Sequence, residues 1–143
     1  MQQVGINILS AGIVSNHLDK TAINMKTETH SINDTLIAEV ISGETIINST
    51  EDGLDLLGSL YFQGFDRIVM HEKHITPAFF DLKNGMAGEI LQKFSNYRVR
   101  LAIVGDFSKY TRKSVQDFLY ESNNGNQVNF VGSLEEGLKR LSR

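Results

Sequence analysis

The chain contains no cysteine. A disulfide framework, a thiol nucleophile and a Cys-ligated metal are thereby excluded, and a reducing, cytoplasmic setting is expected. No block of lysine and arginine occurs and the formal net charge is -3. Nucleic acid is therefore not an expected partner. No apolar run reaches the length needed to cross a membrane, so no membrane span is expected. Met1-Gln2-Gln3 lacks the positive charge that opens a secretory leader. Gly-x-Ser-x-Gly elbows, phosphate-loop glycines and dinucleotide fingerprints are missing, which weakens serine hydrolase and nucleotide readings. Internal repeats and low-complexity tracts are absent as well.

What remains is an ordinary globular composition, with 41% hydrophobic and 22% charged residues over 143 positions. That length suits one domain with a single core. The first 24 residues are read as an N-terminal extension of uncertain status. Val4-Gly5-Ile6-Asn7-Ile8 alternates like a short strand, and 16–24 reads as linker. Either the natural start is Met25 or these residues form a genuine N-terminal arm. From Met25 onward, 25–143 reads as a single α/β domain.

Within that domain, Lys26 to Ile32 alternates, Asn33-Asp34 is a turn pair, and Leu36 to Ile41 is rich in branched residues. Together they predict a hairpin. Ile46-Ile47 is a short extended piece. Ser49 or Thr50 caps a helix with Glu51 and Asp52 in its first turn. Its apolar stripe is expected at Leu54, Leu57 and Tyr61, with Leu56 and Leu60 beside it, and Gly64 ends it. A strand at Arg67–Met70 closes on His71-Glu72. Thr76-Pro77 starts a short helix, Asn84-Gly85 interrupts it, and Met86, Ala87, Ile90, Leu91 and Phe94 mark a longer one. Val99–Val104 is an apolar run stopping at Gly105-Asp106, the pattern of a central strand covered on both faces. Ser108 or Thr111 is expected to cap the next helix, which carries Val115, Phe118 and Leu119. Val128–Val131 is the last strand, and Ser133 with Glu136 forms a capping box for the final helix. The order β-β-α-β-α-α-β-α-β-α predicts an α/β fold with a mostly parallel four- to five-stranded sheet and an N-terminal edge hairpin.

Several segments carry a resemblance. His71-Glu72-Lys73 with Ile75-Thr76-Pro77, Phe80-Asp81-Leu82-Lys83, the run Gly88 to Tyr97, Leu101 to Ser108, and Tyr120-Glu121-Ser122-Asn123 resemble the bacterial family catalogued as domain of unknown function 4180 (DUF4180). The likeness covers Met25 to the end and implies no activity. More distantly, the element order, the Ile-Val-Gly-Asp strand end and the Ser-Leu-Glu-Glu helix start are similar to SpoIIAA-like, STAS-type domains. A STAS phospho-switch would need an Asp-Ser pair starting the helix after a central strand. This chain has His71 to Thr76 there, so a kinase-controlled switch is not implied.

Ligands of open parallel sheets bind beyond the carboxyl ends of the strands. Two strand ends carry polar groups, His71-Glu72 and Gly105-Asp106. Lys73, Asp81, Lys83, Asp106 and Ser108, with His71 and Glu72, are the candidate ligand-binding residues. A histidine with carboxylates and lysines suits acid–base work or anion binding. The competing structural reading has the carboxylates capping loops and His71 satisfied at a strand end. His71-Glu72-Lys73-His74 has the wrong spacing and context for a helical zinc-protease motif. No metal ligand set and no cofactor are assigned, though a different His–carboxylate arrangement stays open. Gly85 to Gly88 is read as allowing close helix approach rather than anion binding. Phe79, Phe80, Phe94 and Phe107 are expected to pack in the core; a small apolar cleft or an exposed homodimer face is the alternative. The expected function is a non-enzymatic binding or regulatory domain that takes a protein partner or small ligand at the rim. The alternative is a small enzyme using His71 with Asp106 or Glu72 as acid and base.

Overall fold

The computed structural model describes residues 25–143; the readings made for 1–24 lie outside them. Five strands, β1 (Lys26–Ile32), β2 (Thr35–Ile41), β3 (Arg67–His71), β4 (Arg100–Val104) and β5 (Val128–Val131), form one sheet in consecutive order. The β1–β2 pair is antiparallel and the β2–β3, β3–β4 and β4–β5 pairs are parallel. The edge hairpin is therefore where the sequence put it. Its turn uses Asn33 and Asp34 at φ 52° and 64°. Both are in the left-handed region that a two-residue hairpin turn demands, and Asn and Asp tolerate it.

Four helices connect and cover the strands: α1 (Thr50–Phe62), α2 (Met86–Asn96), α3 (Lys113–Asn124) and α4 (Leu134–Leu141). Consecutive strand order with same-handed crossovers puts α1, α2 and α3 on one face. There they pack on Ala38, Val40, Ile68, Met70, Leu101, Ile103, Val128 and Phe130. The alternate strand residues face the other way. Ile37, Val69 and Ala102 meet Leu141 of α4 there, and α4 packs mainly on β3, β4 and β5.

Several local expectations need correction. The buried stripe of α1 is Gly53, Leu56, Leu57 and Leu60, whereas Tyr61 is largely exposed. Gly53 sits there because a Cβ would fall 2.5 Å from Ile90 Cδ1 of α2. The close helix approach thus runs through Gly53, not Gly88, which has open space around it. The helix predicted after Thr76-Pro77 is a pair of 3-10 turns, Pro77–Phe80 and Leu82–Asn84, the first capped by Thr76. Neither Ser108 nor Thr111 caps α3; Arg112 precedes it with no side-chain cap. Strand β4 begins at Arg100 rather than Val99, because Val99 N–H still bonds back to Phe94 O and Arg98 takes φ 58°. That is a glycine-type helix ending made without glycine, so no residue-type signal marks it. Phe79, Phe80 and Phe94 are buried and present no exposed patch.

Candidate functional site

The register pairs His71 with Val104 in adjacent parallel strands. The strand ends that lead to Glu72 and to Gly105-Asp106 therefore lie on one rim of the sheet, as anticipated. The backbone divides the polar groups between the two sides of that rim. His71, the last residue of β3, projects to the face that carries α4, while Glu72 opens a 3-10 turn (Glu72–His74) on the other side.

On the Glu72 side there is a cleft of about 700 Å³ lined by Thr45, Glu72, Lys73, Ile75, Pro77, Lys109 and Tyr110. Glu72 accepts a hydrogen bond from the Tyr110 hydroxyl and forms an ion pair with Lys109 at 2.8 Å. Burial and the bond to Glu72 push the Tyr110 hydroxyl pKa well up, so Tyr110 stays a protonated donor. Gly105 is needed beneath this group: a Cβ there would lie 2.5 Å from Glu72 Oε1 and 2.6 Å from Glu72 Cβ. The floor behind Tyr110 is aromatic. Phe80 stacks on Tyr110 at 4.4 Å between ring centroids, and Phe107 and Phe130 complete the cluster.

On the other side, Glu39 is the hub. It is a buried carboxylate of β2, 4% exposed. Its Oε1 meets His30 Nε2 at 2.8 Å and its Oε2 meets His71 Nε2 at 2.7 Å. Burial alone would raise the Glu39 pKa, but the hydrogen bonds to His71 and His30 outweigh it, and the net shift is downward. Three of the chain's four histidines gather here, because His74 makes an edge-on contact with His71 at 5.9 Å. His74 is 2% exposed, and its Nε2 accepts the Ser42 N–H at 3.3 Å. Burial, then the charges of His71 and Lys73, lower its pKa, partly offset by the Glu44 backbone. Glu28 is the register partner of Glu39. One ligand-type atom from each of Glu28, His30 and Glu39 lies within 4.8 Å of the others.

The candidate residues fall into four groups. Glu72 and Lys73 line the cleft. His71 bonds to Glu39 rather than to Glu72 or Asp106. Asp106 is exposed and is occupied by its own loop, accepting from Ser108 N at 3.1 Å and Ser108 Oγ at 2.7 Å. Those bonds hold its pKa down. Asp81 and Lys83 lie exposed on the 3-10 turns and are not among the cleft-lining residues. Thr45 and Tyr110 were not expected at the site from the sequence, nor were Glu28, His30 and Glu39. A glutamate inside an apolar strand was the available signal, since a buried polar group is more informative than a buried apolar one.

Fold and rim together define a mixed α/β domain with a cleft at the carboxyl ends of its central strands. Residues 32–141 match the family described as "Domain of unknown function (DUF4180)". The chain belongs to that family. No curated protein and no solved structure matches it. Among the described residues, no helix is long and apolar enough to cross a membrane.

Proposed function

We propose that the chain is a binding domain without catalysis of its own, and that its site is the cleft between the Glu72–Ile75 segment and Lys109-Tyr110. One observation carries this reading. The cleft lies at the carboxyl rim of adjacent parallel strands, where open α/β sheets take ligands, and it combines ammonium groups with an apolar wall. Lys73 supplies positive charge, Lys109 supplies it only in part because it is paired with Glu72, and Ile75, Pro77 and the Tyr110 ring supply apolar contact. The fitting ligand is a small molecule with an anionic group and an aromatic or aliphatic body. The element order also supports kinship with SpoIIAA-like domains at the level of fold.

The rival enzymatic reading asked His71 to work with Asp106 or Glu72. His71 is committed to Glu39, Asp106 to Ser108, and Glu72 to Tyr110 and Lys109. The three groups that this reading would combine are thus each held by other partners.

Thermal denaturation in the presence of phenyl phosphate, benzoate or inorganic phosphate tests the proposal. A ligand at tenfold excess over its Kd adds about 1.4 kcal/mol to stability, a readable rise in Tm. The rise is expected with the two aromatic anions, weaker with phosphate, and absent in Lys73→Glu and Lys109→Glu. No stabilisation by any of the three, or equal stabilisation of both variants, would contradict the reading.

A further inference from the structure

The trio on the opposite side of the rim is a separate matter. Glu28 and His30 are two residues apart on β1, so both face the same way. Antiparallel register sets Glu28 directly across from Glu39 and His30 across from Ile37. Two carboxylates thus sit side by side on neighbouring strands, an arrangement that is unfavourable without a cation. Lys26 reaches Glu28 at 3.3 Å, but that pair is exposed and such pairs contribute little. Glu39 is buried and already bonded by imidazole, while His30 is a quarter exposed and Glu28 half exposed. Access from solvent is therefore open on one side only.

We infer that Glu28, His30 and Glu39 form a site for a divalent transition metal of the zinc class, with His71 as the positioning residue for Glu39. Imidazole beside carboxylate selects such ions over magnesium or calcium. Three protein ligands leave a fourth position for water, the open form of a zinc site. Donor atoms around tetrahedral zinc lie roughly 3.4 Å apart, given metal–ligand bonds of about 2.1 Å. The three groups, already within 4.8 Å of one another, need only side-chain rotation on an edge strand to reach that spacing. His71 holds the second oxygen of Glu39, the outer hydrogen bond that ligating carboxylates require. His30 now meets the carboxylate through Nε2. To bind metal it turns the Nε2 lone pair to the ion and carries its proton on Nδ1. Glu28 and His30 precede the stretch that matches the family, so the site is argued from this chain alone.

The test is titration of the metal-free full chain with Zn2+ by calorimetry, with histidine 15N NMR alongside. Expected are one ion per chain, no binding of Mg2+ at the same concentration, and a switch of His30 from the Nε2–H to the Nδ1–H tautomer. Glu28→Gln, at an exposed position that spares the fold, and His30→Ala are each expected to weaken Zn2+ at least about tenfold. His71→Ala is expected to weaken it about 10- to 100-fold, the range for outer-shell partners. Absence of stoichiometric binding by folded protein overturns the inference. So does undiminished affinity in folded Glu28→Gln, or an unchanged His30 tautomer on saturation.

Discussion

Glu39 occupies a strand whose neighbouring positions are Ile37, Ala38 and Val40, all fully buried. A carboxylate there is tolerable only because both oxygens are bonded. Its folded-state pKa lies below the ordinary value of 4.5, so the unfolded chain takes up the proton first on acidification. The stability it contributes is therefore complete above about pH 4.5 and is lost as pH falls through the folded value. Urea midpoints across the acid range should show a steep decline in the wild type and a shallower one in Glu39→Gln. His74 acts at higher pH. Its folded pKa lies below 6.5, so its contribution is complete above about pH 6.5 and drains away below it as the unfolded imidazole protonates first. Protonation would also take the Nε2 lone pair from Ser42 N–H. His74→Gln, which retains an acceptor, should flatten that part of the profile.

At the scale of elements, two glycines set distances that no neighbouring motif announces. Gly53 lets α1 lie against Ile90 of α2. Alanine is intrinsically better in a helix by about 1 kcal/mol, yet Gly53→Ala should destabilise by roughly 1–2 kcal/mol because the new Cβ overpacks the Ile90 side chain. In an Ile90→Ala background the same change should become neutral or stabilising. Chemical denaturation of the four proteins of that cycle reads the coupling directly. Gly105 makes the equivalent allowance for Glu72 at the end of β4. Gly105→Ala should cost about 1–3 kcal/mol and displace Glu72 from Tyr110, visible as a fall in the Tyr110 pKa by ultraviolet titration.

Across the whole molecule, the parts legible in the sequence were those with a period or a punctuation mark. The Asn33-Asp34 turn, the Ser49 and Ser133 caps and the apolar runs of β2 to β5 each advertise themselves locally. The common rim for His71 and Asp106 followed from parallel strands alone. What resisted reading depends on partners distant in sequence. His71 finds Glu39 only once β2 is known to lie beside β3, and His30 joins only through the hairpin register. Asp106 had the right position at the rim, but Ser108, two residues on, occupies it. The helix ending at Arg98 uses a left-handed residue with a side chain, which carries no composition signal.

On the proposed reading, the cleft beside Glu72, rather than the His30–Glu39–His71 face, receives the organic ligand. Residue-resolved 1H–15N NMR during titration with phenyl phosphate tests it most directly. Saturable shifts are expected, centred on Thr45, Glu72, Lys73, Ile75, Lys109 and Tyr110, with little change at His30 or Glu39. Shifts centred on His30, Glu39 and His71, or spread evenly over the surface without saturation, would contradict it.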